Sequence, residues 1–244
     1  KMITFKSSLF LSITFFSVLF DAELQEASDT FLLECNSDDP NPCAASIVTD
    51  CQQHDKHCII DCTKSENICK DAEFICHSNQ DCTLICDSKN AIKPCLGTIL
   101  KATQSSNINV NVICSNIRAC EWMIIYANSS NINLNITITS DDPDPGLQHA
   151  LYIAKHSNIY LPQSGHSNIE CHGHSACHSM KIFGNTTTTK SSMDSQIQFK
   201  SSGIHSFKDS YLSFPSHSDI EIICGDQNGN DNGACLSASF DGTQ

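Results

Sequence analysis

Ser106-Asn-Ile-Asn-Val-Asn-Val-Ile-Cys114 and Ser130-Asn-Ile-Asn-Leu-Asn-Ile-Thr-Ile138 are two versions of one phrase. Ile108, Val110 and Val112 in the first, like Ile132, Leu134, Ile136 and Ile138 in the second, alternate with polar residues. A period of two sends the apolar side chains to one side, so each stretch reads as a strand with one buried and one wetted face. Relatives of the phrase are Cys58-Ile-Ile-Asp-Cys62, Cys82-Thr-Leu-Ile-Cys86, Ser167-Asn-Ile-Glu-Cys171 and Ser218-Asp-Ile-Glu-Ile-Ile-Cys224. Like the first, they end in a cysteine.

Those cysteines belong to a larger period. All sixteen fall into eight neighbouring pairs: Cys35/Cys43, Cys51/Cys58, Cys62/Cys69, Cys76/Cys82, Cys86/Cys95, Cys114/Cys120, Cys171/Cys177 and Cys224/Cys235. Pairs opening at 35, 62, 86 and 114 start 27, 24 and 28 residues apart, and those at 171 and 224 follow at about twice that spacing. Recurrence at roughly 20 to 50 residues marks a stacked array. Two positions in the series lack cysteine. Leu147-Gln-His-Ala-Leu-Tyr-Ile153 is expected to fill one and residues 206–212 the other, so anchors fall near 43, 69, 95, 120, 147, 177, 207 and 235. Ser37-Asp-Asp-Pro-Asn-Pro-Cys43 and Ser140-Asp-Asp-Pro-Asp-Pro-Gly146 also echo one another, each just before an anchor.

A coil of about 25 to 29 residues, with two or three strands between polar turns, cannot bury its apolar face alone. Stacking makes parallel strands about 4.8 Å apart around a continuous apolar interior. The expected fold is therefore all-β: a parallel β-helix, or β-solenoid, of about eight coils with disulfide-stapled turns over residues 35–244, preceded by a lead-in at 23–34. Parallel crossovers are overwhelmingly right-handed. The Ser-Asn-Ile steps, the polar turns and the coil length resemble the right-handed parallel β-helix of the pectin-lyase-like superfamily, in a cysteine-rich form, over about residues 35 to 240.

Stacking also limits the disulfide pairing. Equivalent corners two coils apart, such as Cys114 and Cys171, lie about 9.6 Å apart, beyond the roughly 7 Å reach of a bridge. Cys171 is thereby left with Cys177 and Cys224 with Cys235, and by extension each pair staples its own turn. Between residues 35 and 120, bridges between adjacent coils stay open.

Residues 1–22 carry Lys1 and Lys6 ahead of an apolar run from Leu9 to Phe20, too short to span a membrane and expected to be a signal peptide. Left uncleaved, it would be a membrane anchor. Export fits an even, abundant cysteine count, because disulfides persist in oxidising compartments. Three N-glycosylation sequons begin at Asn128, Asn135 and Asn185. The formal charge is −13 and Arg118 is the only arginine, which argues against nucleic acid as a partner.

The resemblance implies, for its enzymes, cleavage of acidic polysaccharides on a strand face by a calcium-assisted lyase or by grouped aspartates with Gly-His and Arg-x-Lys motifs. Asp141-Asp142 and Gly173-His174 match fragments only, and Arg118 sits in a cysteine-bounded turn. No acid, base and clamping cation assemble, so no catalytic residue is assigned. His166, His172, His174 and His178 crowd one disulfide turn, while His149, His156, His205 and His217 are scattered; wet surface positions are the expectation for all of them. Asp226, Asn228, Asn230 and Asp231 have calcium-loop spacing, but Asp231 stands where that loop needs glycine and Ser237 where it needs glutamate. An ordinary Asn/Gly turn without cofactor is the expectation, with calcium the one alternative. Polar residues preceding Ile are expected to form hydrogen-bonded ladders at the turns. The functional expectation is a secreted or cell-surface, non-catalytic structural module or recognition module for glycan or an extracellular protein. The alternative is a polysaccharide lyase or glycoside hydrolase.

Overall fold

The computed structural model describes residues 30–35, 43, 48–51, 57–64, 67–87, 93–102, 107–115, 118–139, 153–184, 195–203, 205–214, 218–225, 234, 235 and 237–242. In chain order the strands are β1 (Thr30–Glu34), β2 (Val48–Asp50), β3 (His57–Asp61), β4 (Glu73–Ile75), β5 (Asp81–Asp87), β6 (Ile99–Lys101), β7 (Ile108–Ser115) and β8 (Ile124–Tyr126). They continue with β9 (Ile132–Thr139), β10 (Asn158–Tyr160), β11 (Gly165–His172), β12 (Lys181–Phe183), β13 (Ser195–Ser202), β14 (Tyr211–Phe214), β15 (Ser218–Cys224) and β16 (Ser239–Gly242). Odd-numbered strands make one eight-stranded sheet and even-numbered strands another, each in sequence order and parallel throughout. This is an all-β parallel solenoid.

Alternation in the two quoted phrases is what places them side by side. Ile108 lies opposite Ile132, Val110 opposite Leu134 and Val112 opposite Ile136. All six are essentially fully buried, while Asn109 and Asn133 point outward. Burying each such aliphatic side chain contributes about 1.5–3 kcal/mol, and a slip of one residue would turn all of them to water.

Disulfides join Cys35–Cys43, Cys62–Cys69, Cys86–Cys95, Cys114–Cys120, Cys171–Cys177 and Cys224–Cys235 across the corner from an odd strand toward the next even one. Cys51–Cys58 and Cys76–Cys82 close the opposite corner of the first coils. Within the first column the sulfurs of neighbouring bridges nearly touch, Cys62 Sγ lying 3.9 Å from Cys35 Sγ.

The first corner has an unusual backbone. Residues alternate into the left-handed region: Asn67, Cys69 and Asp71; Lys93, Cys95 and Gly97; Arg118, Cys120 and Trp122. That alternation aims successive N–H groups up and down the stack. Asp71 N–H donates to Leu96 O (2.8 Å), Gly97 N–H to Glu121 O (2.9 Å) and Trp122 N–H to Lys155 O (2.9 Å), whereas Cys95 N–H reaches back to Ile68 O (3.0 Å). The corner is thus hydrogen-bonded from coil to coil as the sheets are, which satisfies groups that an ordinary turn would leave to water.

Three details depart from the sequence reading. The anchor expected at 147 lies at Ala154: Asn158 pairs with Ile124, which brings Ala154 onto the level of Cys120, and its N–H donates to Ala119 O at 2.8 Å. Ile153 is buried beside it at the corner, and Ile159 takes the core position of the strand. The stack already begins inside the stretch read as a lead-in, because β1 pairs with β3 and its Phe31 and Leu33 pack on the core. Finally, Asn107 and Asn131, the asparagines before Ile, hold left-handed φ values of 55° and 57° at the start of β7 and β9, a conformation asparagine tolerates better than most residues. Gly165 is required for a related reason: its φ is 108°, and a Cβ there would run into Ile132 O.

Candidate functional site

Hydrogen-bonded ladders do form, but on the outer face of the odd-numbered sheet rather than at its turns. Register places His57, Asp81, Asn109, Asn133, His166, Gln196 and Asp219 in one row across the strands. Asn109 Nδ2 donates to Asp81 Oδ2 (2.9 Å) and Asn133 Nδ2 to Asn109 Oδ1 (3.1 Å). A second row runs through Thr83, Asn111 and Asn135, with Asn135 Nδ2 donating to Asn111 Oδ1 at 3.1 Å and Asn111 Nδ2 to Thr83 Oγ1 at 3.3 Å. Side chains one rung apart are about 4.8 Å apart at the backbone, a spacing a short amide bridges directly.

Where the rows reach β11, β13 and β15, the ladder opens into a groove of about 270 Å3 lined by His166, Asn168, Gln196, Gln198, Asp219 and Glu221 among others. Gln198 Nε2 donates to Glu221 Oε2. Beside the groove, Lys200 Nζ donates to Glu170 Oε1 (3.0 Å). That charge-assisted bond, against the opposing effect of burial, holds the Glu170 carboxyl below the usual range. The surface can offer several donors and acceptors at fixed intervals with negative charge at one end.

The candidate residues disperse. His166 lies in the groove, while His172, at the far end of β11, shares its Nδ1 with Ser202 Oγ (2.7 Å). His174 sits edge-on to His205 at 6.0 Å, and His178 lies 3.6 Å from Asp209. Burial, reinforced by His205, lowers the His174 pKa; burial and then Lys155 lower those of His156 and His178. Among the described residues the groups close enough to hold a metal ion are Cys35, Cys43 and Cys69, and Cys62, Cys69 and Cys95. All five are in disulfides and present no thiolate. Arg118 is bound to Glu121 in its own corner, at 2.7 Å. Of the sequons, Asn128 is exposed and Asn135 stands half-buried within the ladder. Asn185, Asp141, Asp142, His149, His217, Asp226, Asn228, Asn230 and Asp231 lie outside the described residues.

One feature escaped the sequence reading. Tyr126, Tyr160 and Phe183 each end a three-residue even strand and stack at 4.8 and 5.0 Å between centroids. Ile-Ile-Tyr, Asn-Ile-Tyr and Lys-Ile-Phe carry the signal, an aromatic two positions after the strand's first residue, but only once the anchor is moved from 147 to 154 do they align.

Comparison with family models, with curated proteins and with solved structures finds no match.

Proposed function

We propose that this protein is a secreted or cell-surface, glycosylated, non-catalytic recognition module that binds glycan on the polar face of its odd-numbered sheet. The observation carrying this reading is the groove over β11, β13 and β15, where rigid strands hold amides, an imidazole and carboxylates in rows at the strand spacing. Hydroxyl-rich ligands need such closely spaced donors and acceptors, and rigid strands present them at little ordering cost. Export is supported by eight disulfides with no free cysteine, and by the apolar amino-terminal segment. Among the described residues no helix is long and apolar enough to cross a membrane. A charge of −13 disfavours nucleic acid. The resemblance to right-handed pectin-lyase-like helices supports a carbohydrate ligand without assigning a reaction.

Asp219 and Glu221 give the hydrolytic alternative its one specific support, since two carboxylates on one strand face flank the same groove as His166. Incubating the purified protein with neutral and acidic polysaccharides, with and without calcium, and measuring both retention and new reducing ends separates the readings. Retention without cleavage, weakened by Gln198→Ala, is the expected result. Cleavage that disappears in Glu221→Gln would overturn the non-catalytic assignment.

A further inference from the structure

Trp122 is the only tryptophan in the chain, and the fold does not use it for its core. The residue is 55% exposed, the highest value among the large hydrophobic residues that are described. It also occupies a left-handed position, with φ 62°. That backbone is the corner's own, shared by Asp71, Gly97 and His156 in register with it, and it does not itself call for an indole.

The neighbours in its column shape a slot. On one side His156, at the same corner position one coil later, lies 4.5 Å from the indole at an angle of 38°. On the other side the equivalent position is Gly97, whose N–H donates to Glu121 O and which brings no side chain toward Trp122. Asp71, one coil further back, leans into the space a Gly97 side chain would take: a Cβ there would collide with Asp71 Oδ1. An indole backed by His156 therefore faces, across the width of about one coil, a carboxylate over a glycine floor.

From this we infer that Asp71, Gly97 and Trp122 form a subsite for one ring of a neutral sugar. A pyranose has an apolar C–H face that stacks on the electron-rich face of an indole, and on the side of Trp122 away from His156 the neighbouring corner position is a glycine. Hydroxyl groups on its edge would donate to Asp71. The same carboxylate disfavours a uronate or sulfated ring, so this corner selects neutral sugars. This inference deepens the glycan-binding reading and rests on it, but it uses a different surface from the groove.

Since Trp122 is the sole indole, its fluorescence reports the site directly. The experiment titrates the full chain with neutral tetrasaccharides of glucose, mannose, galactose and N-acetylglucosamine, with a galacturonate tetrasaccharide, and with choline as a cation probe. A saturable change with at least one neutral tetrasaccharide, Kd on the order of 1 mM, is expected, with none for galacturonate or choline. Calorimetry on Trp122→Leu should find that binding lost. Asp71→Asn should weaken it about tenfold, as loss of a charge-assisted hydrogen bond does. The near-ultraviolet spectrum of Tyr126 and Tyr160 and the free-thiol count check that the variants remain folded. A response to choline or to galacturonate alone, or none to any neutral sugar, overturns the subsite. If a neutral sugar binds Trp122→Leu normally but not Gln198→Ala, the subsite fails and the groove reading stands. If no sugar binds any form, both fail.

Discussion

Two kinds of corner close the coils of this molecule. At Cys114–Cys120 a disulfide spans the turn from odd to even strand. One coil later the same two positions are Ile138 and Ala154, both buried and without sulfur. Two coils after that, beyond the stapled Cys171–Cys177, they are Ser201 and Phe207: the Ser201 hydroxyl bonds that of Ser206, and Phe207 packs against Phe199. The backbone answers differently in the two cases. Ala154 keeps the left-handed φ (48°) of Cys69, Cys95 and Cys120 and donates to the preceding coil, whereas Cys177 and Phe207 donate to the following one, to Ser206 O and Ala234 O. The bridge is therefore not what makes the turn. Filling the corner with buried volume and pairing its N–H groups is the common requirement, and sulfur is one way to meet it.

The comparison is most easily broken at Phe207. Phe207→Ala empties a corner that has no covalent substitute, and should cost about 3–5 kcal/mol. The paired change Cys114→Ala with Cys120→Ala should cost about 2–3 kcal/mol, since short loops constrain little unfolded entropy. Urea midpoints under oxidising conditions give both values. A larger loss for the cysteine pair would mean that the bridges, not the packing, hold the corners.

Building the missing staple sharpens the same point. Ile138→Cys with Ala154→Cys places two cysteines at positions in register with Cys114 and Cys120, whose Cα atoms are 6.0 Å apart. We expect a bridge to form under oxidising conditions, detected as no additional free thiol by mass spectrometry. The net gain should be below about 2 kcal/mol, because the bridge's entropic contribution is offset by the lost burial of Ile138. An unbridged, folded double variant would show that the two corners differ in geometry despite their register.

Much of this was readable in the sequence, for reasons that differ by element. Alternation in Ile108 to Val112 and Ile132 to Ile138 declares strands, and a fixed cysteine period declares stacking, because both are imposed by repeated geometry. The sulfur-free corner is hard to place from sequence because Ala154 and Ile153 have no distinctive chemistry, while Leu147 lies nearer the expected spacing. Ladders were foreseen in kind but put at the turns, since Asn serves two purposes here. Asn107 and Asn131 supply left-handed backbone, while Asn109, Asn133, Asn111 and Asn135 supply side-chain hydrogen bonds. The groove was not readable at all: Gln196, Gln198, Asp219 and Glu221 meet His166 only through register between strands distant in sequence.

At the other sulfur-free corner, Ser201→Ala removes one half of a buried hydroxyl pair and leaves Ser206 Oγ to find another partner. A loss of about 1 kcal/mol is expected, visible as a shift of urea midpoint without change of slope. No loss would mean that Phe207 alone fills that corner.

The smallest effect separates the two ends of the corner column by pH. Its early coils carry Asn67, Cys69, Asp71, Lys93, Cys95 and Gly97, with no histidine, while its later coils carry His156, His174, His178 and His205. For His156, His174 and His178 burial is the first cause of a lowered pKa, joined by Lys155 at His156 and His178 and by His205 at His174; Asp209 opposes it at His178. A histidine whose folded pKa lies below its unfolded value of about 6.5 takes up its proton more readily when unfolded. Its contribution is intact above pH of about 6.5, is lost as pH falls toward the folded value, and changes no further below that. Hydrogen exchange should accordingly quicken between pH 7 and 5, after correction for intrinsic rates, in the amides of Ser179 and Met180 but not in those of Asp71 and Ala72. His178→Gln should flatten part of that dependence, and equal acid sensitivity at both ends would remove the histidines as its cause.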